Sequence, residues 1–140
     1  SAVVLGPNAS SLFSTLAQTY LRYNLLTSAD EIVVSTENHK ANFDPWIDVA
    51  TRVGATIKLW TPNAARTNPT NICDHDYQNS CHVTSSRNLA DLITPRTRIV
   101  TFPHVSNILG YVNPISEWAQ TIKSNSHGRA HIVVDGVAAV

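Results

Sequence analysis

The sequence predicts an α/β domain built in three layers, with helices on both faces of a mostly parallel sheet. Two observations carry that prediction. Short runs such as Glu31-Ile-Val-Val-Ser35 and Arg98-Ile-Val-Thr-Phe102 are apolar or β-branched on consecutive residues, as strands buried on both faces have to be. Between such runs, apolar residues recur at the spacing of an amphipathic helix. Alternation of the two periods is the pattern of strand-helix-strand units, because parallel strands need long crossovers.

Taken in order, Ala2 to Leu5 is a short apolar run ending in Gly6-Pro7-Asn8, after which Leu12, Phe13, Leu16, Ala17, Tyr20 and Leu21 follow helical spacing. A strand, a turn and a helix are expected, with Asn8 or Ser10 accepting from a free first-turn amide as cap. Glu31 to Ser35 is the second strand. Asp44-Pro45-Trp46 opens a helix with an acidic cap and an early proline, running through Ile47, Val49, Ala50 and Val53 to Gly54. Ala55 to Trp60 is the third strand. From Thr61 to Arg87 the periodicity disappears and Asn, Thr, Ser, Asp and Pro take over, so an inserted long loop or irregular hairpin is expected. Leu89 to Ile93 reads as a short helix and Arg98 to Phe102 as the fourth strand. Asn113-Pro114 repeats the cap-plus-proline signal before a helix facing Ile115, Trp118, Ala119 and Ile122 inward and closing at Gly128. His131 to Val134 is the fifth strand, running into Asp135-Gly136.

With 140 residues, 43% of them apolar and 14% charged, the chain can bury a core. Ten basic and ten acidic residues give a formal net charge of zero, which lacks the electrostatic footprint of a binder of nucleic acid or anionic membrane. No run approaches the roughly 20 apolar residues of a membrane span. Two cysteines, Cys73 and Cys81, do not make a disulfide framework, and a reducing, cytoplasmic setting is expected. The chain has no methionine, opens inside an apolar run and stops at Val134-Asp-Gly-Val-Ala-Ala-Val140, so a fragment of a larger domain is expected.

In a parallel α/β sheet, ligands bind at the carboxyl ends of the strands. The segments there are Gly6 to Ser10, Thr36 to Asn42, Pro103 to Asn107 and Asp135 to Ala138. Gly6-Pro7-Asn8-Ala9-Ser10, between strand and helix, is a phosphate site or an ordinary capped turn. It is neither a dinucleotide nor a nucleoside-triphosphate fingerprint. Asp135 ends an apolar strand, where a carboxylate needs a partner: a protonated heterocyclic nitrogen, a helix cap or an arginine. His39 and Asn42 follow one strand, His104 and Asn107 another; an imidazole there stacks on a ring or moves a proton, and an amide donates to a phenolic oxygen, unless they are plain loop residues. Cys73, His75, Cys81 and His82 are ligand types for zinc, but their spacing matches no familiar site and no metal is expected. Trp46 and Trp118 fall on apolar helix faces and read as core.

The order Glu31-Ile-Val-Val-Ser, Glu37-Asn-His39-Lys-Ala-Asn42-Phe-Asp-Pro45-Trp46, Pro103-His104-Val-Ser-Asn107-Ile-Leu-Gly110, Asn113-Pro114 and Val134-Asp135-Gly136 resembles the cysteine desulfurase branch of the class V aminotransferases. These are pyridoxal-phosphate enzymes of fold type I, and the likeness covers nearly the whole chain outside 61–87. The resemblance implies part of the cofactor-binding large domain, the N-terminal segment, the Schiff-base lysine region and the C-terminal small domain lying elsewhere. It implies that Asn8 and the amides of Ala9 and Ser10 hold the cofactor phosphate. His39 would stack on the ring and assist proton transfer, which makes it the catalytic candidate. Asn107 would stand near the ring hydroxyl, Val137 against the other ring face, and Asp135 on the pyridinium nitrogen.

The sequence departs from the family where Pro7-Asn8 replace the usual Thr or Ser, and where Ala138 replaces a glutamine; divergent desulfurase-like proteins look closer than housekeeping ones. The only lysines are Lys40, Lys58 and Lys123, so the family's lysine is expected beyond residue 140, and the 140-residue chain alone is expected to be inactive. The resemblance implies a small amino-acid substrate and a homodimer. The reaction implied is C–S cleavage of the cysteine desulfurase kind or transamination. The alternatives are a truncated or degenerate non-catalytic copy and a metal-binding module on the cysteine-histidine loop.

Overall fold

The computed structural model describes residues 2–62, 84–86, 88–108 and 110–139. Among the described residues five strands form one sheet: β1 (Glu31–Ser35), β2 (Thr56–Trp60), β3 (Thr84–Ser86), β4 (Thr97–Pro103) and β5 (His131–Asp135). The spatial order is β3-β2-β1-β4-β5 and every pairing is parallel. Helices α1 (Ala9–Arg22) and α2 (Asp44–Val53) cover one face, α3 (Leu89–Leu92) and α4 (Ile115–Asn125) the other. The three-layer αβα architecture expected from the alternating periods is the one present.

Strand alternation divides the core. Ile32 and Val34 of β1 join Ala17, Tyr20, Trp46 and Val49 on the α1/α2 side, whereas Val33 joins Trp60, Leu92, Phe102 and Ile122 on the α3/α4 side. The second layer is strongly aromatic: Trp60, Phe102 and Trp118 meet edge to face with ring centroids 4.4–5.8 Å apart. Burial on both faces explains why β1 has all five residues enclosed.

Several local expectations are corrected. Ala2 to Leu5 is not a strand; Val3, Val4 and Leu5 are 87%, 72% and 91% exposed. An apolar run becomes a strand only where a neighbour takes up its backbone groups, and none of the described strands does so. The 61–87 stretch ends in a strand, β3, whose Thr-Ser-Ser sequence carries no apolar alternation to reveal it. Helix α2 is capped by the backbone of Phe43 and not by Asp44, which sits in the first turn and pairs with Lys40 at 2.6 Å. Asn113 does not cap α4: its Nδ2 donates to the Pro103 carbonyl at 2.8 Å, tying the helix entry to the end of β4.

Gly54 ends α2 at φ 74°, with its N–H on the Ala50 carbonyl, and starts the chain toward β2. The switch in strand order falls at β1: the chain goes to β2 and β3 on one side and returns to β4 and β5 on the other. A crevice at the carboxyl ends of β1 and β4 follows from that topology.

Candidate functional site

The loop leaving β1 is set by a buried amide network. Asn42 Oδ1 accepts from Trp46 Nε1 (3.2 Å) and Thr101 Oγ1 (2.9 Å), and Asn42 Nδ2 donates to Asn38 Oδ1 (3.1 Å). Asn38 Nδ2 donates in turn to the Thr101 carbonyl (3.1 Å), so the network straddles β1 and β4. Asn42 is fully buried, and its partners leave it no reach toward a ligand; the expectation of an amide facing a phenolic oxygen is corrected to a structural role. What it holds is His39, which is exposed on the same turn and whose Nδ1 accepts from Ala41 N at 3.2 Å. With Nδ1 as acceptor, the neutral ring carries its proton on Nε2.

At the start of α1, Asn8 is extended and its Oδ1 accepts from Ser11 N at 2.8 Å, as the capping argument requires. The amides of Ala9 and Ser10 lie in the first turn, where no preceding helical carbonyl exists to receive them. Gly6, just before, lies close over the helix it feeds: a Cβ there would come within 2.7 Å of Leu12 Cδ2, so a larger residue would make the Leu12 side chain shift.

The ends of β4 and β5 are joined, with His104 N donating to the Asp135 carbonyl at 2.8 Å. Asp135 is only 9% exposed; its Oδ1 accepts from Val137 N at 3.0 Å, and no cation is paired with it among the described residues. A nearly buried carboxylate with one backbone donor is suited to a cationic N–H donor. Val137 follows it and is 64% exposed. Beyond β4 the chain makes a narrow turn: Val105 bridges Val112, Ser106 N donates to the Tyr111 carbonyl, and Asn107 lies in the exposed tip.

The structure thus brings Asp135, Val137 and the start of the His104 turn together, and it anchors Asn8 at the start of α1 and His39 on the turn after β1. His104, a candidate by position, contributes its backbone to this joint. Sequence reasoning missed Asn38 and Thr101; the spacing of Asn38, Asn42 and Trp46, four residues apart, was the available signal. Cys73, His75, Cys81 and His82 lie outside the described residues. No helix among the described residues is long and apolar enough to cross a membrane.

The chain matches known proteins in sequence and in fold. The family model described as aminotransferase class-V matches residues 2–140. The chain is 32% identical over 138 residues to the cysteine desulfurase-like protein ustD of Aspergillus flavus, covering 99% of this chain and 28% of that protein. It is 31% identical to a probable cysteine desulfurase of Halalkalibacterium halodurans, covering 96% of this chain and 28% of that one. Among solved structures, it is similar to the cysteine desulfurase CsdA of Escherichia coli, with a TM-score of 0.65 and 30% identity over 91% of this chain and 27% of that chain. It shares the fold of DndA from Streptomyces lividans at a TM-score of 0.62 and 22% identity, covering 91% of this chain and 30% of that chain. The chain therefore spans 28% of the length of these two curated relatives. With the sheet order and a family match over residues 2–140, the chain belongs to the aminotransferase class-V family.

Proposed function

We propose that these residues form the cofactor-binding part of a pyridoxal 5′-phosphate enzyme acting on a small amino acid, by C–S bond cleavage of the cysteine desulfurase kind or by class V transamination. The observation that carries the reading is Asp135: a carboxylate enclosed at the carboxyl end of β5, with a single backbone donor and no cation among the described residues. A protonated pyridine nitrogen would supply Asp135 with a positive donor. The family is pyridoxal-phosphate-dependent, and its curated members named above are cysteine desulfurases or similar to them.

Asn8, with the amides of Ala9 and Ser10, would hold the phosphate, where the α1 dipole favours an anion. His39 would lie against the ring and move a proton at Nε2, because Nδ1 is engaged by Ala41 N. Asn107 would stand near the ring hydroxyl and Val137 against the ring face away from His39. When bound, the cofactor supplies an electron sink for the pair released at the substrate α-carbon. Asp135 would keep the ring nitrogen protonated, which is what makes that sink effective. The reading includes a homodimer and a cytoplasmic location, in keeping with the family resemblance.

The test is to express the protein from its complete reading frame, add pyridoxal 5′-phosphate and record the visible spectrum and the products formed from L-cysteine. A bound visible absorber, together with turnover that falls on the order of a hundredfold in Asp135→Asn, is expected. Absence of cofactor binding, or unchanged turnover in Asp135→Asn, overturns the assignment.

A further inference from the structure

Tyr20 of α1 is 5% exposed, and its hydroxyl is hydrogen-bonded to Nδ1 of His131, the first residue of β5. The two rings meet edge to face at 6.0 Å, and on its other side Tyr20 meets Trp46 at 5.7 Å. Burial raises the Tyr20 pKa, with the Arg98 charge working the other way, so the phenol keeps its proton and has one to donate to the imidazole. Packing alone gives no reason for that hydroxyl, since phenylalanine would fill the same space against Trp46. Its partner is an exposed histidine that water could otherwise solvate.

The hydroxyl does join two elements that the cofactor reading uses at their far ends. From Tyr20 back to Ala9 is about 16 Å of helix, and from His131 on to Asp135 about 13 Å of strand. Helix α1 also packs on the turn after β1, so it spans the sheet from the amino edge, at His131, to the carboxyl edge. Trp46 passes the same constraint to Asn42, and Asn42 to Thr101 and the His39 turn.

We propose that Tyr20 is a positioning residue for the cofactor: its hydrogen bond to His131 sets α1, with the phosphate contacts at Asn8 to Ser10, against β5, with Asp135, and so fixes the separation of the phosphate and ring-nitrogen sites. The inference rests on the cofactor reading given above. A ligand held at both ends gains from having the two anchors preset, whereas a ligand that uses one anchor does not.

The experiment compares wild type with Tyr20→Phe, both expressed from the complete reading frame and freed of cofactor. Each is titrated by tryptophan fluorescence with pyridoxal 5′-phosphate, with pyridoxal and with inorganic phosphate. Tyr20→Phe is expected to weaken pyridoxal 5′-phosphate about three- to tenfold, the worth of one hydrogen bond, and to leave the two one-ended ligands unchanged. His131→Leu should match it, and His131→Gln, which keeps an acceptor, should restore wild-type affinity. Equal affinity of wild type and Tyr20→Phe overturns the positioning role alone. Equal weakening of all three ligands also overturns it, because it marks general loosening. A wild type that does not bind pyridoxal 5′-phosphate overturns the cofactor reading and this inference with it.

Discussion

Lys58 Nζ donates to Glu31 Oε2 over 2.7 Å, between side chains that are 11% and 1% exposed. The pair bridges β1 and β2 at the amino edge of the sheet, opposite the strand ends that carry Asp135 and His39. Lys58 also donates to the Leu92 carbonyl, while Thr94 Oγ1 and Arg96 Nη2 each reach a Glu31 oxygen at 2.6 Å. Glu31 is therefore the hub that fastens the loop before β4 to the two neighbouring strands. Its removal leaves an ammonium enclosed without a counter-charge. Glu31→Gln is expected to lower stability by about 3 kcal/mol, and Glu31→Leu combined with Lys58→Met by much less. Urea denaturation of the single and double variants checks it: a double variant worse than Glu31→Gln would refute the pairing argument.

The same group predicts how stability follows pH. Burial works against ionisation of Glu31, but the Lys58, Thr94 and Arg96 hydrogen bonds and the Lys58 charge outweigh it, and its pKa lies below the ordinary glutamate value. A carboxyl whose folded pKa is depressed contributes stability above its unfolded pKa and loses it as pH falls through the folded one. Thermal midpoints should hold from neutral pH down to the ordinary glutamate range and drop below it. In Glu31→Gln this acid-limb loss should be smaller; an identical acid limb in both proteins would show that Glu31 is not its source.

How much of this could be read in the sequence depends on how local each cause is. Strands β1 and β4 were legible because burial on both faces writes itself as consecutive β-branched residues, and α2 because Trp46, Ile47, Val49 and Ala50 fall on one stripe. The Asn8 cap was legible because it reaches only three residues ahead. The Glu31–Lys58 pair was not, since it exists only once β2 lies beside β1 in the observed register. The Tyr20–His131 contact joins residues 111 apart and leaves no local mark either. Ala2 to Leu5 misled because apolar composition reports the wish for burial and not the presence of a pairing strand. Asn42 looked like a ligand residue because position after a strand does not tell an inward amide from an outward one.

That inward amide yields a stability prediction. Asn42→Ala removes the acceptor of Trp46 Nε1 and Thr101 Oγ1 and the donor to Asn38, in a site without solvent access. Stranded buried donors cost about 1–3 kcal/mol each, partly offset where Thr101 can turn its hydroxyl elsewhere. A loss of about 3 kcal/mol in denaturant titrations is expected, and a loss under about 1 kcal/mol would show that the network is dispensable.

Gly54 offers a simpler backbone test. At φ 74° it occupies the left-handed region, and an added Cβ would stand 3.5 Å from the Ser28 Cβ, an ordinary contact. Strain and not crowding is the cost, so Gly54→Ala should lose about 1 kcal/mol and Gly54→Asn less, because Asn tolerates that region. Equal losses for the two variants would point to crowding after all.

His39 carries two roles that can be separated by choice of replacement. Its Nδ1 caps the short turn at Lys40–Asn42 by accepting from Ala41 N, and its ring is the surface proposed to lie against the cofactor. Asparagine retains a side-chain acceptor for the cap but has neither an aromatic face nor a ring nitrogen that can take up and release a proton. Alanine retains neither. If both roles hold, His39→Asn keeps stability within about 0.5 kcal/mol of wild type, His39→Ala loses about 1 kcal/mol, and both lose cofactor affinity and turnover alike. Calorimetry reads the first difference and a cofactor titration the second. Because the cap energy differs between the two variants while the missing ring is common to both, turnover that follows stability would assign His39 to the turn. Turnover that falls equally in both, whatever the stability, assigns the ring to the chemistry.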